Sequence, residues 1–306
     1  MVVKRSGIGN GELMKRIATH ILMIVAAGIL SIGCASNHLN EVKLPREFHF
    51  KVAVNPCTKA VQKDDILMHP ADVPFGVWSL EEGGSIYLDN EKVICAGEDN
   101  WVPLVNRIWD ADVDEMNFLA YSPYGRACYD KERGICFQSY DIEEDYDLMY
   151  SHPLLHQKKD SSQEIIHISL DRALALVKLR IRVAVPDYVR IVVKNVCIDG
   201  IMGKGDFHSL PEAEWNNLSD GRSICFFEGH EELSGDIMLA CEDLYMLPQV
   251  SDLRVNLLCD IISGEYVLRD QVLSQDFFVS WKPGRISSYI VKIDGNLDIA
   301  VDKDNE

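Results

Sequence analysis

The chain has 306 residues, with 48 acidic side chains against 30 lysines and arginines, for a formal charge of −18. Such acidity argues against nucleic acid and anionic lipid headgroups as partners, because both would be repelled. The length suits one large or two ordinary domains and can bury a real core.

Lys15 and Arg16 precede an uncharged apolar stretch from Ile17 to Gly33, and Cys34 follows directly. This is the anatomy of a secretory signal peptide, residues 1–33, cut between Gly33 and Cys34 and then acylated (palmitate) on Cys34. A plain signal anchor is the alternative, since the 17 uncharged residues approach the ~20 that span a bilayer. Ser31 stands where a lipoprotein signal usually has a large aliphatic residue, and Leu30 lies one place earlier. Met14 is a candidate true start. Cleavage removes Lys4, Arg5, Lys15, Arg16 and Glu12, so the charge moves from −18 to about −21. Residues 34–46 then form a lipidated leader. The expected location is the outer membrane, lipid-anchored and surface-exposed.

From Phe48 the pattern is strand throughout. Phe48, Phe50, Val52 and Val54 alternate with His49, Lys51 and Ala53. Val177, Leu179, Ile181, Val183 and Val185 alternate with polar or small residues until Pro186-Asp187 stops the run. A period of two sustained this long predicts a half-buried strand. Val189, Ile191 and Val193 continue in the next strand, but Val196 and Ile198 have the opposite parity. A bulge near Lys194-Asn195 restores a common face. Later strand runs fall at 223–228, 254–262, 266–268, 277–281 and 288–293. Turns are expected at Glu82-Gly83-Gly84, Asp199-Gly200, Ser219-Asp220-Gly221, Ser263-Gly264, Lys282-Pro283-Gly284 and Asp294-Gly295. Short helical turns are expected at 170–176 and 211–218. Many short strands with close turns predict an all-β chain of antiparallel sandwiches. The length suits two, 47–186 and 187–306, joined near Pro186-Asp187.

Eight of the nine cysteines follow Cys34, at 57, 95, 128, 136, 197, 225, 241 and 259. An even set in an exported chain invites disulfides, yet the spacings form no compact framework. Cys128 and Cys136 flank a polar turn and are the candidate hairpin disulfide. Cys259 lies in apolar alternation and reads as a buried thiol.

No nucleophile elbow, zinc-protease helix or phosphate loop is present. His152 and His156 are separated by Pro153 with no acid following, which disfavours zinc. Asp110, Asp112 and Asp114 resemble the start of a calcium loop, but Glu115 and Tyr121 stand where Gly and Glu are needed, so a solvated loop is expected. Acids at 143–147 read as a solvated turn, since their sequence places no second carboxylate at catalytic distance. Neither an enzyme nor a cofactor is expected.

The order of several segments is more specific than any single motif. Phe75-Gly76-Val77-Trp78 is followed by Trp101-Val102-Pro103, Trp109 and Phe118-Leu119-Ala120-Tyr121-Ser122-Pro123. Gly134-Ile135-Cys136-Phe137, Asp147-Leu148-Met149-Tyr150, the 174–185 run, Leu247-Pro248-Gln249 and Trp281-Lys282-Pro283-Gly284 with Tyr289 complete the series. This series resembles the fimbrillin family of Bacteroidales, the lipoprotein subunits of type V fimbriae, over roughly 48–293. The resemblance implies two tandem transthyretin-like sandwiches, export as a lipoprotein, and assembly with other fimbrial subunits by strand exchange. It also implies proteolysis after a basic residue near the N-terminus, for which Arg46 is the candidate. Asp171 and Arg172 depart from the family pattern, and little chain follows Ile293 to offer a strand. An anchor, tip or accessory subunit, with a host or bacterial surface ligand, is therefore as well supported as a shaft subunit. The rival reading is an outer-membrane glycan-binding lipoprotein feeding a polysaccharide transporter, which exposed pairs among Trp78, Trp101, Trp109, Trp215 and Trp281 would support.

Overall fold

The computed structural model describes residues 46–57, 67–143, 147–158 and 165–304. The signal segment, Gly33, Cys34 and the leader before Arg46 lie outside the described residues. Residues 45–306 form one compact unit. Among the described residues there are 22 strands and no helix.

In chain order the strands are β1 (Arg46–Glu47), β2 (Phe50–Val54), β3 (Leu67–Met68), β4 (Phe75–Glu81), β5 (Ile86–Cys95), β6 (Trp101–Pro103), β7 (Ile108–Trp109) and β8 (Glu115–Ser122). They continue with β9 (Cys128–Asp130), β10 (Gly134–Asp141), β11 (Met149–Ser151), β12 (Leu154–Lys158), β13 (Ile166–Arg172), β14 (Ala175–Ala184) and β15 (Val189–His208). The last seven are β16 (Glu214–Ser234), β17 (Asp236–Ala240), β18 (Leu244–Met246), β19 (Val250–Ser263), β20 (Tyr266–Ser280), β21 (Ile286–Ile293) and β22 (Ile299–Asp304).

The N-terminal strands pair in a circuit, β11-β13-β2-β6-β5-β4-β8, which β8 closes by pairing with β11. The β8–β11 pairing closes the ring, and β12 adds one further strand beyond β8. Its interior is aromatic: Phe50 of β2 meets Phe75 edge-on at 6.0 Å, and Phe48 stacks on Trp109 at 5.6 Å. Strand β4 is buried from Phe75 to Leu80 without alternation. One face fills the ring; the other packs with Trp78 and Leu80 against Ile135, Tyr140, Phe207 and Trp215. Gly76 is required there, because a Cβ would stand 2.1 Å from the Tyr121 ring.

The C-terminal half stacks two sheets. In one, β14 lies parallel to β21, with β22 beyond it and β17 and β18 on the other border of β14. In the other, β15 pairs with β16 along nearly its whole length, and its opposite border pairs with β19 and then β10. Inward residues alternate as expected: Val177, Leu179, Ile181 and Val183 face Ile191, Val193, Val255 and Leu257 in one dry core.

Three expectations are corrected. Strand β14 was expected to close an N-terminal sandwich ending at residue 186, yet it pairs with β21 and buries its face in the C-terminal core. Strands β9 and β10 likewise join the sheet of β15, so sheet pairing crosses the expected boundary in both directions. The helical turns at 170–176 and 211–218 are strand ends instead. Leu170, Ala173, Leu174 and Ala175 are buried because the chain passes there between cores, and their clustering imitates a helical face. Finally, Asp199-Gly200 and Ser219-Asp220-Gly221 lie within the two strands of one long hairpin, not at its turn. Gly200, with φ of 88°, sits at the register shift between Asp199 and Ile201, a bulge rather than a chain reversal, whereas Gly221 and Ser219 stay in register with Met202 and Lys204.

Candidate functional site

The long borders of the β15 sheet are chemically unlike each other. Strand β16 presents Glu228, Glu231 and Glu232, charges that discourage pairing with another chain. Among the described residues strand β20 pairs only with β19. Its outer face carries Val272 at 61 % and Phe278 at 62 % exposure, beside Val250 at 68 %. Val267 and Val272 stand directly opposite Ile262 and Leu258 of β19, which extends the apolar stripe inward. The Arg254–Asp276 ion pair, at 2.6 Å, is the polar interruption.

Strand β22 is itself a border of its sheet: it pairs with β21, and Arg180 binds Asp304 while Lys292 binds Asp302. Arg46 opens β1, pairs opposite Trp109 and lays its guanidinium 5.1 Å from that ring. Strand β2 begins four residues later and is held on both sides, by β13 and β6.

The structure disperses the candidate ligand groups. His152 meets Asp171 at 3.1 Å, whereas His156 binds Glu115. The Asp110 loop folds over Trp109, whose indole donates to Val113 O at 2.7 Å. No group of three or more metal-ligating side chains converges among the described residues. Of the acidic cluster, 144–146 lie outside the described residues. Asp147 binds Arg172, and Glu143 lies 3.3 Å from Arg222. All five tryptophans are buried.

Cys128 and Cys136 do face each other across the β9–β10 hairpin, but both thiols are free. The disulfide joins Cys197 and Cys225, register partners in β15 and β16. Linear spacing hid this pair, because only the length of that hairpin brings residues 28 apart into register.

Two further features escaped the sequence. Ser122 Oγ lies 2.7 Å from His69 Nε2, with His69 Nδ1 donating to Pro70 O at 3.1 Å. Burial lowers the His69 pKa, so Nε2 accepts from Ser122 as neutral imidazole. Ser122 is fully buried, and Trp101 packs edge-on against the imidazole at 5.0 Å; this is a core hydrogen bond rather than an accessible nucleophile. The second is an open cleft of about 980 Å³ between the N-terminal ring and β10. Arg222 lies outside it and ties β16 to β10 by two bonds to Asp141, at 2.8 and 2.9 Å.

A closed ring and a stacked pair of sheets define an all-β fold. The family model described as fimbrillin-like matches residues 58–303. The chain belongs to the fimbrillin-like family. Two solved structures share the fold. A putative cell adhesion protein from Bacteroides uniformis is similar at TM-score 0.54 and 15% identity, covering 84% of this chain and 97% of that one. Another, from Bacteroides ovatus, is similar at TM-score 0.54 and 11% identity, covering 86% and 97%. No curated protein matches the chain.

Proposed function

We propose that the protein is a non-enzymatic, cell-surface fimbrial subunit, anchored by lipid on Cys34 and joined edge-on through β20 to a strand of a neighbouring subunit. One observation carries the reading: β16 is guarded by charge, while β20 leaves Val267, Val272 and Phe278 exposed on a border with no partner strand among the described residues. Covering three such half-exposed side chains contributes about 2.5–5 kcal/mol. Ordering five flexible residues costs about 5–10 kcal/mol. The joint therefore favours a partner strand that is already ordered.

Cleavage after Arg46 takes one residue from β1 and leaves β2 in the ring. Processing there releases the leader with its lipid. The C-terminal strand is engaged in its own sheet, which favours an anchor, tip or accessory position over the shaft. Burial of all five tryptophans takes away the feature on which glycan capture for a transporter depended.

Purification from cells tests this reading, by mass spectrometry of the mature N-terminus and electrophoresis of unheated samples. Expected are an acylated Cys34 and a high-mass band that is lost in Val272→Lys. An unprocessed N-terminus, or a band indifferent to that substitution, would contradict it.

A further inference from the structure

We propose that the cleft between the N-terminal ring and β10 binds an amphipathic organic anion, a molecule with an apolar body and one carboxylate. The inference is independent of assembly through β20. A volume of about 980 Å³ falls in the range of small-molecule sites, which commonly lie between packed substructures and have mostly apolar walls with a few placed polar groups. The walls match that description. Val54, Val73, Phe137, Leu148 and Met149 supply apolar surface, and Met68 stands at the cleft with 71 % exposure.

Charge selects the head group. Lys178, Lys194, Lys204 and Lys292 each sit on a carboxylate. Lys92 does not: among the described residues its ammonium meets only the Tyr124 ring, 5.4 Å from the centroid. A cation held over an aromatic face at the rim of an apolar cavity can take a carboxylate, while the ring offers its edge to an apolar body. Of the other charged lining groups, Asp147 is already neutralised by Arg172, and Asp72 and Arg126 oppose each other in sign. The lining thus carries a net positive charge in a chain of −18. That excess favours anions over cations, and the apolar walls favour a body larger than acetate.

Calorimetric titration of the purified full chain with 4-phenylbutyrate, 4-phenylbutyramide and acetate tests the proposal. Saturable binding of 4-phenylbutyrate is expected, with the amide and acetate each at least tenfold weaker. Lys92→Met should weaken the acid at least tenfold and leave the amide unchanged. Lys282→Met, far along the chain on an exposed turn, should change neither. Met68→Trp, at an exposed position, should obstruct all binding and covers the case in which Lys92→Met fails to fold. Absence of binding, equal binding of acid and amide, or equal binding of acetate would each overturn the proposal. So would insensitivity to both cleft substitutions.

Discussion

Removing the Cys197–Cys225 bridge by the double substitution Cys197→Ala/Cys225→Ala should destabilise the C-terminal core by a calculable amount. The bridge closes a segment with a sequence separation of 28. Chain-entropy reasoning gives about −12 cal/mol/K for such a loop, or about 3.6 kcal/mol at 25 °C. A hairpin this long keeps some local structure when unfolded, which lowers the expectation to about 2–4 kcal/mol. For a chain of this size that is a fall in Tm of about 4–12 °C. Urea unfolding followed by circular dichroism, with and without reductant, is the assay. The wild-type midpoint should drop in reductant to that of the double variant, and the variant should ignore reductant. Equal midpoints for oxidised wild type and variant would refute the reasoning, because the bridge would then not constrain the unfolded chain.

Three further outcomes are expected. Burial lowers the His69 pKa below its ordinary value of 6.5, so the unfolded chain takes up that proton first. Its contribution is fully present above about pH 6.5 and is lost as pH falls through the folded value. Tm should therefore decline from pH 7 to pH 5 in wild type and decline less in His69→Gln; equal slopes would count against it. Arg222→Met removes the guanidinium that holds the Asp141 carboxyl well below the usual range, while Lys204 stays 3.3 Å away. The cost should be about 2–3 kcal/mol in urea unfolding, below the ~3–5 kcal/mol of a fully orphaned buried charge. Gly76→Ala drives a methyl into the Tyr121 ring, whose hydroxyl is fixed by Asn90 at 2.9 Å. Overpacking of about 1–3 kcal/mol is expected, and unchanged stability would show that β4 and β8 can part.

Much of the fold was legible wherever one face of a strand is buried and the other wet. The alternation in β14 and the bulge at Lys194-Asn195 both follow from that rule, and the register shift falls between Val193 and Asn195. Strand β20 was seen only at its ends, because the polar run Arg269–Asp276 between them lies on a border that water reaches. Topology was not legible. The parallel pairings β2–β13 and β14–β21 join strands more than 100 residues apart, and no local pattern encodes them. Glycine and aspartate at 199–200 and 219–221 announced chain reversal because positive φ serves turns and bulges alike. The candidate edge was hidden for a related reason: Val272 sits inside the polar run of β20 and Phe278 in a short apolar one, and only strand pairing places both on a border of the sheet.

Photocrosslinking in intact cells tests the central claim most directly. A benzophenone side chain placed at Phe278 on β20, and separately at Glu231 on β16, samples both borders of one sheet. The account predicts covalent adducts with another fimbrial subunit from Phe278 and none from Glu231. Adducts from Glu231 alone, or from neither position while high-mass assemblies persist, would contradict it.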